Sequence, residues 1–329
     1  MSIIIVCVVA FALIFEFING FHDTANAIAT SVYTRALSVG KAILLAAGMN
    51  FLGALVSENV AKTITSGLVA VSIEEHVVLA ALLGAIVWNL ITWWKAIPSS
   101  SSHALIGSLV GATMVYTMGV HSVKWDGVLS KVVIPLLTSP VIGFFIGFLI
   151  MKGIYLFFAS RPRSRVNRLF LRLQVFSAAL VAFSHGTNDA QKTMGIITLA
   201  LITGNLLEPG SGVPLEVKLM CAVAIAFGTA VGGWRIMKTM GGGVTKLEPA
   251  SGFAAQTSSA LVIEGMSLLG APISTTQVIT TSVMGAGSAR RLSSVRWRIA
   301  RDIAMTWLVT LPATMVLGGV MVFIIERFL

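Results

Sequence analysis

Long apolar segments recur along the whole chain, and they constrain its fold more than any other feature. They cover residues 3–17, 42–56, 77–94, 134–158, 217–234 and 305–325. About 20 apolar residues in a helix are enough to cross the ~30 Å hydrocarbon core of a bilayer. Only 11% of the 329 residues are charged, whereas about a quarter of a soluble domain is charged. The sequence therefore predicts an all-α polytopic membrane protein, whose first segment is a membrane helix rather than a cleaved leader.

The net charge of +10 is concentrated in two arginine-rich segments, 161–172 and 290–301, which contain five arginines each. The loops predicted on the other side of the membrane carry slightly more acids than bases. This asymmetry is typical of the positive-inside rule, so we expect a multi-pass protein of the cell membrane with its long basic loops in the cytoplasm. The basic segments are then orientation signals, and we expect no nucleic-acid partner.

Two polar motifs each occur twice, in the same order. "NGFHDTANA" at 19–27 matches "HGTNDAQKT" at 185–193, which lies 166 positions later. "IPSSSSHALIGSLVGA" at 97–112 matches "APISTTQVITTSVMGA" at 271–286, which lies 174 positions later. This repetition predicts a duplicated chain. Residues 1–160 form the first repeat, 161–172 a cytoplasmic basic linker and 173–329 the second repeat.

The charge pattern indicates that the two repeats cross the membrane in opposite directions. The first loop of the first repeat carries only bases, whereas the corresponding loop of the second repeat, 204–218, is acidic. The hydroxyl-rich motifs then lie in two re-entrant hairpins, at about 77–118 and 250–288, which enter from opposite sides. We expect two inverted-topology repeats with broken helices and about 10–12 membrane segments, an arrangement typical of transporters.

Asp23 and Asp189 are the main candidates for an ion site. A charge near mid-bilayer costs ~2.5 kcal/mol or more, so intramembrane acids usually line an ion path. Gly20 and Gly186 predict a break in each helix, which would turn backbone groups toward a cavity. The alternative is that each acid and its neighbouring amide cap a half-helix. The candidate residues for a coupling H⁺ or Na⁺ are Asp23, Asp189, Asn188, His22 and Thr24.

The hydroxyl-rich motifs have the opposite chemistry, which suits an anion. Each places a proline and then hydroxyls at the start of a predicted half-helix. Unpaired N–H groups and the positive end of the helix dipole favour a tetrahedral oxyanion there. Ordinary N-capping is the alternative. The candidate anion ligands are Ser100, Ser101, Ser102, Ser274, Thr275 and Thr276, with Asn26 and Gln256 facing the same site.

Several other polar residues accompany these motifs. Lys192, three residues after Asp189, can pair with that acid or attract the anion, and we favour the pair. His22 can relay a proton or hydrogen-bond to a broken helix. We interpret Glu16 as a buried, hydrogen-bonded carboxyl rather than a proton acceptor. The secondary candidates for the site are Lys192, Gln191, His103 and Gln277.

The two aspartate motifs resemble the signature G-x-N-D-x-A-N of the inorganic phosphate transporter (PiT) family. In this sequence they read Gly20-Phe-His22-Asp23-Thr24-Ala-Asn26 and Gly186-Thr-Asn188-Asp189-Ala-Gln191-Lys192. The resemblance extends over nearly the whole chain and includes both hydroxyl-rich hairpins. His22 and Lys192 depart from the signature, and "GFHDTANA" is similar to the form found in bacterial low-affinity Pit permeases.

The resemblance implies a symporter that imports inorganic phosphate with H⁺ or Na⁺ by alternating access. It further implies that the cation binds at the signature aspartates and phosphate at the hairpin hydroxyls. The sequence contains no metal-ligand set, and we expect no cofactor and no resident metal. The resemblance also reaches sulfate permeases, which leaves sulfate as an alternative substrate. Transport as a metal phosphate, a homo-oligomer and a cytoplasmic regulator also stay open.

An intramembrane hydrolase is the rival class. It would use Ser101 or Ser102 with His103 and Asp23. Catalysis needs a single nucleophile and base held in order, whereas the chain has two equivalent motifs, with Gln277 in place of the histidine in the second. We therefore expect a transporter and not an enzyme.

Overall fold

The structure is a computed structural model that describes residues 2–69, 73–95, 97, 99–231, 245 and 247–328. Within these ranges, the side chains of Ala25, Asn26 and Ile299 lie outside the described part of the chain. The described chain is almost entirely helical.

The first half of the chain forms seven helices within the described residues. They are α1 (Ile3–Tyr33), α2 (Val39–Ala54), α3 (Asn59–Gly67), α4 (Glu75–Trp94), α5 (Ser101–Tyr116), the short α6 (Trp125–Val128) and α7 (Ile134–Phe158). A π-helical segment, Leu129–Val133, joins α6 to α7, so that Trp125–Phe158 is one long helical span.

The second half repeats most of this order. Its described helices are α8 (Arg163–Thr203), α9 (Leu215–Val231), α10 (Pro249–Leu268), α11 (Thr275–Ser288) and α12 (Trp297–Phe328). The basic stretch expected to be a linker is already helical from Arg163, because it forms the N-terminal turns of α8.

The helices confirm the prediction of an all-α polytopic membrane protein. Five described spans are long and apolar enough to cross a membrane, and the bent pair α2 and α3, which meet at 61°, would make a sixth. The other apolar helices are shorter, with 16 residues in α5 and 14 in α11. Each short helix packs on the helix before it, α5 on α4 and α11 on α10, as a hairpin.

Apolar packing surrounds these elements in two main clusters. The larger contains Phe15 of α1, Leu82 of α4, Leu105 of α5 and Met194 of α8. The second contains Met151 of α7, together with residues of α8, α10, α11 and α12. The polar motifs of α1 and α8 lie in the C-terminal halves of these packed helices.

The helix breaks predicted at Gly20 and Gly186 are wrong, since α1 and α8 run through both positions without interruption. The glycines instead permit close packing between helices. A Cβ on Gly186 would lie 2.3 Å from the Asn50 carbonyl oxygen of α2, and one on Gly20 would lie 2.5 Å from the Ile225 carbonyl oxygen of α9. Side chains cannot fit in these spaces, so α8 approaches α2, and α1 approaches α9, backbone to backbone.

The two hairpin tips have the same local structure. Ser100 is the N-cap of α5 and its Oγ accepts a hydrogen bond from the His103 N–H at 3.2 Å. Ser274 is the N-cap of α11 and its Oγ accepts from the Gln277 N–H at 3.3 Å. Both tips therefore begin a helix at the same position of the repeated motif.

Smaller features also recur at corresponding positions of the two halves. An isolated bridge pairs Val69 with Val123, and another pairs Thr245 with Val295. Trp125 Nε1 donates to a carbonyl five residues earlier at 2.8 Å, and Trp297 Nε1 does the same at 2.9 Å. The inverted orientation of the two halves in the membrane stays a prediction.

We predict that Gly186→Ala destabilises the protein and that Gly48→Ala does not. The added methyl at position 186 would push α2 and α8 apart, and overpacking of this kind costs about 1–3 kcal/mol. Nothing lies within 4 Å of a Cβ at Gly48 in α2, where alanine is the better helix former. Thermal unfolding of both purified variants in detergent measures the difference. Equal unfolding temperatures would contradict the close approach of the two helices.

Candidate ion and anion site

The C-terminal halves of α1 and α8 meet the first turns of α5 and α11 in one polar centre. Its members are Asp23, Asp189, Lys192, Ser101, Ser102, Thr275 and Thr276. None of these residues exposes more than 2% of its surface. The centre is therefore closed to water in this structure, and desolvation makes any uncompensated charge in it costly.

Asp23 of α1 is held by residues from both halves of the chain. Ser101 Oγ at the first tip donates to Asp23 Oδ2, and Thr276 Oγ1 at the second tip donates to Oδ1 at 2.8 Å. His22 Nδ1 lies 2.9 Å from the same Oδ1. Ser101 Oγ also lies 2.7 Å from Asn19 Oδ1, one turn earlier on α1. This carboxylate thus connects the two tips.

Asp189 of α8 has a similar set of partners with one important addition. Thr275 Oγ1 donates to its Oδ2 at 3.1 Å, and His185 Nε2 lies 2.9 Å from the same atom. The other oxygen, Oδ1, forms an ion pair with Lys192. The favoured interpretation of Lys192 as the partner of Asp189 agrees with this contact.

Lys192 does more than pair with its acid, because its ammonium also reaches both hairpin tips. It donates to Ser102 Oγ at the first tip and to the Ile273 carbonyl oxygen at the second, the latter at 2.9 Å. With Asp189, this makes three oxygen partners for the three N–H donors of a lysine ammonium. Lys192 is therefore fully satisfied although only 1% of its surface is exposed.

The tip residues divide into two roles. Ser100 and Ser274 cap their helices, which is the alternative that the sequence left open for them. The next two residues of each tip face the acids or the lysine. Asp23 and Asp189 themselves cap no half-helix, since each lies inside a continuous helix.

Some predicted coupling-ion residues lie beside the centre but bond elsewhere. Asn188 Nδ2 donates to Ser267 Oγ at 2.8 Å. Thr24 Oγ1 accepts from Asn50 Nδ2 at 3.0 Å and lies 3.0 Å from Thr229 Oγ1. Both side chains therefore join α1 or α8 to a neighbouring helix rather than to the aspartates.

Gln191 has a structural role. Its Oε1 accepts from the Val60 N–H at 2.8 Å and from the Ala61 N–H at 3.3 Å. These N–H groups belong to the first turn of α3, where backbone donors have no partner inside the helix. Gln191 thus caps α3 from a different helix.

Gln256 does not join the tips as predicted. Its Nε2 donates to Ser31 Oγ at 2.6 Å, and its Oε1 accepts from Ser177 Oγ at 2.8 Å. Ser31 lies two helical turns beyond Asp23 on α1, so Gln256 ties α10 to α1 and α8 at another level. The side chain of Asn26 lies outside the described residues.

His103 and Gln277 follow the two tips at corresponding positions, and both are buried. The ring nitrogens of His103 and the side-chain amide of Gln277 have no hydrogen-bond partner among the described residues. A serine–histidine pair of the kind that a hydrolase requires is therefore not formed by His103 with either Ser101 or Ser102.

Sequence reasoning missed His185, Asn19 and Asn50. The first two could have been found, since each lies four residues before an aspartate and residues four apart share a helix face. Asn50, whose Oδ1 lies 3.0 Å from His185 Nδ1, had no local signal. Glu16, interpreted as a hydrogen-bonded carboxyl, accepts from Thr193 Oγ1 on α8.

The geometry combines acceptors and donors in a small closed space. Two carboxylates and one ammonium lie between two helix N-termini, whose partial positive charge favours anions. Hydroxyl groups bridge these elements and can either donate or accept. An arrangement of this kind, at the centre of a bundle of membrane-length helices, is typical of membrane transporters for small ions.

Comparison with known proteins agrees with this class. The phosphate transporter family matches residues 19–318. A probable low-affinity inorganic phosphate transporter of Bacillus subtilis (strain 168) is 46% identical over 327 residues, covering 98% of each chain. One from Rhizobium meliloti (strain 1021) is 44% identical, covering 97% of this chain and 96% of its own.

A solved structure extends the likeness to the fold. "The sodium-dependent phosphate transporter" superposes with a TM-score of 0.89 at 26% identity, and all of both chains is covered. The chain belongs to the phosphate transporter family. Its relatives are transporters and not enzymes, as the sequence predicts.

We predict that Gln191→Ala lowers stability but leaves transport largely intact. Loss of a helix cap costs about 1 kcal/mol, and the cap of α3 does not touch Asp189 or the tips. Asn167→Ala, which removes an exposed amide from the same helix, is the matched control and should leave both properties unchanged. Thermal unfolding and substrate uptake separate the two effects. A loss of uptake greater than the loss of folded protein would indicate that Gln191 belongs to the transport site after all.

Proposed function

We propose that the chain is a secondary active transporter that imports inorganic phosphate together with H⁺ or Na⁺. The observation that carries the proposal is the convergence of two hydroxyl-rich helix tips on two buried aspartates. An anion site at the tips and a cation site at the aspartates would then share hydrogen-bonding side chains, which would couple the binding of one ion to the binding of the other.

Phosphate would bind at the two tips. Four hydroxyls lie there, from Ser101, Ser102, Thr275 and Thr276, and the first-turn N–H groups of α5 and α11 add donors. Two helix N-termini from different halves supply positive potential without a mobile counter-ion. Ser100 and Ser274 would act indirectly, by holding each tip in a helical start.

The carboxylates favour phosphate over sulfate. A protonated phosphate carries an O–H that can donate to an acceptor, whereas sulfate is fully ionised near neutral pH and has none. Asp23 and Asp189 place such acceptors directly against the tip hydroxyls. The names of the matched relatives also support phosphate.

The need for a coupling cation follows from electrostatics. Bringing a phosphate anion into a closed centre beside two carboxylates adds negative charge where desolvation is costly. A cation that binds with phosphate offsets this charge. Asp23, with His22 at 2.9 Å, is our main candidate for its site. The structural neighbour is named as sodium-dependent, which supports cation coupling of this kind.

Alternating access would expose this closed centre first to one side of the membrane and then to the other. Each tip contacts an aspartate or lysine from α1 or α8. Opening either side therefore requires one hairpin to release these contacts while the other keeps them. The similar construction of the two hairpins supports an exchange between two states of comparable energy.

Uptake of radiolabelled phosphate into proteoliposomes tests the function. A pH gradient and a sodium gradient are imposed separately, with unlabelled sulfate as competitor. We expect accumulation driven by at least one gradient and little inhibition by sulfate. Accumulation of sulfate without phosphate would overturn the substrate, and equilibration without accumulation under both gradients would overturn symport.

We predict that Asp23→Asn and Asp189→Asn each abolish gradient-driven phosphate uptake, because the neutral amide can neither bind a coupling cation nor pair with Lys192. Asp126→Asn, which alters an exposed acid in α6, should transport normally. The amount of folded protein in the membrane is measured for each variant. Near-normal uptake by Asp23→Asn would contradict the assignment of the coupling ion to this acid.

A further inference from the structure

The side chain of Lys192 occupies a position that would suit a small cation. Its ammonium lies among a carboxylate oxygen of Asp189, the hydroxyl of Ser102 and the carbonyl oxygen of Ile273. Carboxylate, hydroxyl and carbonyl oxygens are the ligands that hard cations prefer. The three oxygens come from α8, from the first tip and from the second tip, so the ammonium joins all three.

The other aspartate has no such ammonium in the described structure. By the repeat, Asp23 corresponds to Asp189 and Thr276 to Ser102. Thr276 bonds directly to Asp23 at 2.8 Å, whereas Lys192 lies between Ser102 and Asp189. The residue that corresponds to Lys192 is Asn26, which has no charge. Among the described residues, the one ion-pair partner of Asp23 is His22.

We propose that the Lys192 ammonium is a tethered substitute for a coupling cation, so that the chain has one exchangeable cation site, at Asp23, rather than two. The part of this inference that concerns coupling rests on the proposed function. The part that concerns the site itself does not, because it states only which cation neutralises Asp189.

A tethered charge changes how the centre works. An exchangeable cation must be drawn from solution and released again in each cycle. The ammonium stays with α8 and neutralises Asp189 throughout, and it can exchange its bonds to Ser102 and Ile273 as the tips move. Each phosphate would then be accompanied by one cation fewer than in a transporter with two exchangeable sites.

Binding of ²²Na⁺ to the purified protein tests the substitution directly. Lys192→Asn introduces the residue type that the first repeat has at the corresponding position, Asn26. It also removes the ammonium from the oxygen cluster around Asp189. We expect this variant to bind about one more Na⁺ per chain than the wild type. Lys62→Asn, which removes an exposed lysine from α3, is the control and should bind the same number as the wild type.

The double variant Asp189→Asn with Lys192→Asn tests the identity of the added site. Without the carboxylate, the additional Na⁺ should be lost. Lys192→Asn should also unfold at a higher temperature in Na⁺ than in choline, because a ligand that binds only the folded state stabilises it. A Lys192→Asn protein that binds no additional Na⁺, or that stays unfolded when Na⁺ is supplied, would overturn the proposal.

Transport measurements distinguish this failure from failure of the proposed function. If the wild type does not accumulate phosphate, the proposed function fails, whereas the ²²Na⁺ comparison keeps its meaning. If the wild type transports, phosphate uptake by Lys192→Asn should depend more steeply on Na⁺, by about one additional ion. If phosphate uptake by Lys192→Asn depended on Na⁺ as uptake by the wild type does, the inference about coupling would be contradicted. The assignment of phosphate as substrate would still stand.

Discussion

Two carboxylates buried at the middle of a membrane protein must be neutralised, and the rest of this structure depends on how that is done. Asp189 is neutralised by Lys192 and contacted by His185. Asp23 is held by hydroxyls from both hairpin tips and by His22. Because desolvation makes an uncompensated charge very costly, these bonds keep both hairpins against α1 and α8. The hairpins, in turn, enclose the space between them.

In the proposed symport, this arrangement would link binding of the anion to binding of the cation without a separate transmission element. Three of the four hydroxyls that would bind phosphate, those of Ser101, Thr275 and Thr276, now donate to the aspartates, and a hydroxyl has one proton to donate. An anion at the tips must therefore take donors away from the carboxylates, which then require another positive partner. Close packing holds both the helices that carry the acids and the hairpins. α8 lies directly against α2 at Gly186 and α1 against α9 at Gly20, while α5 lies as close to α12 at Gly111 and α11 to α7 at Gly285.

Much of the fold and of the site could be predicted from the sequence, because hydropathy and repetition are local patterns. The membrane helices, the two acids and the hydroxyl tips follow from them. The continuity of α1 and α8 could not be predicted from these patterns, because a glycine is compatible both with a helix break and with close packing between helices. Lys192 contacts both tips, and Gln191 caps α3. Both roles depend on tertiary contacts, which cannot be predicted from the spacing of residues along the sequence. Gln256 shows the same limit, because a polar residue in a hairpin helix can face either the site or a neighbouring helix.

Locating a tetrahedral anion in a structure of the complex tests most directly whether the two tips hold the substrate. Arsenate has the shape and charge of phosphate, and its arsenic atom can be found by anomalous scattering. We expect a single arsenic position between the two tips, with arsenate oxygens within hydrogen-bond distance of the Ser101 and Thr276 hydroxyls. An arsenic position away from both tips, such as among the exposed arginines of 161–172, would contradict a phosphate site at the hairpins.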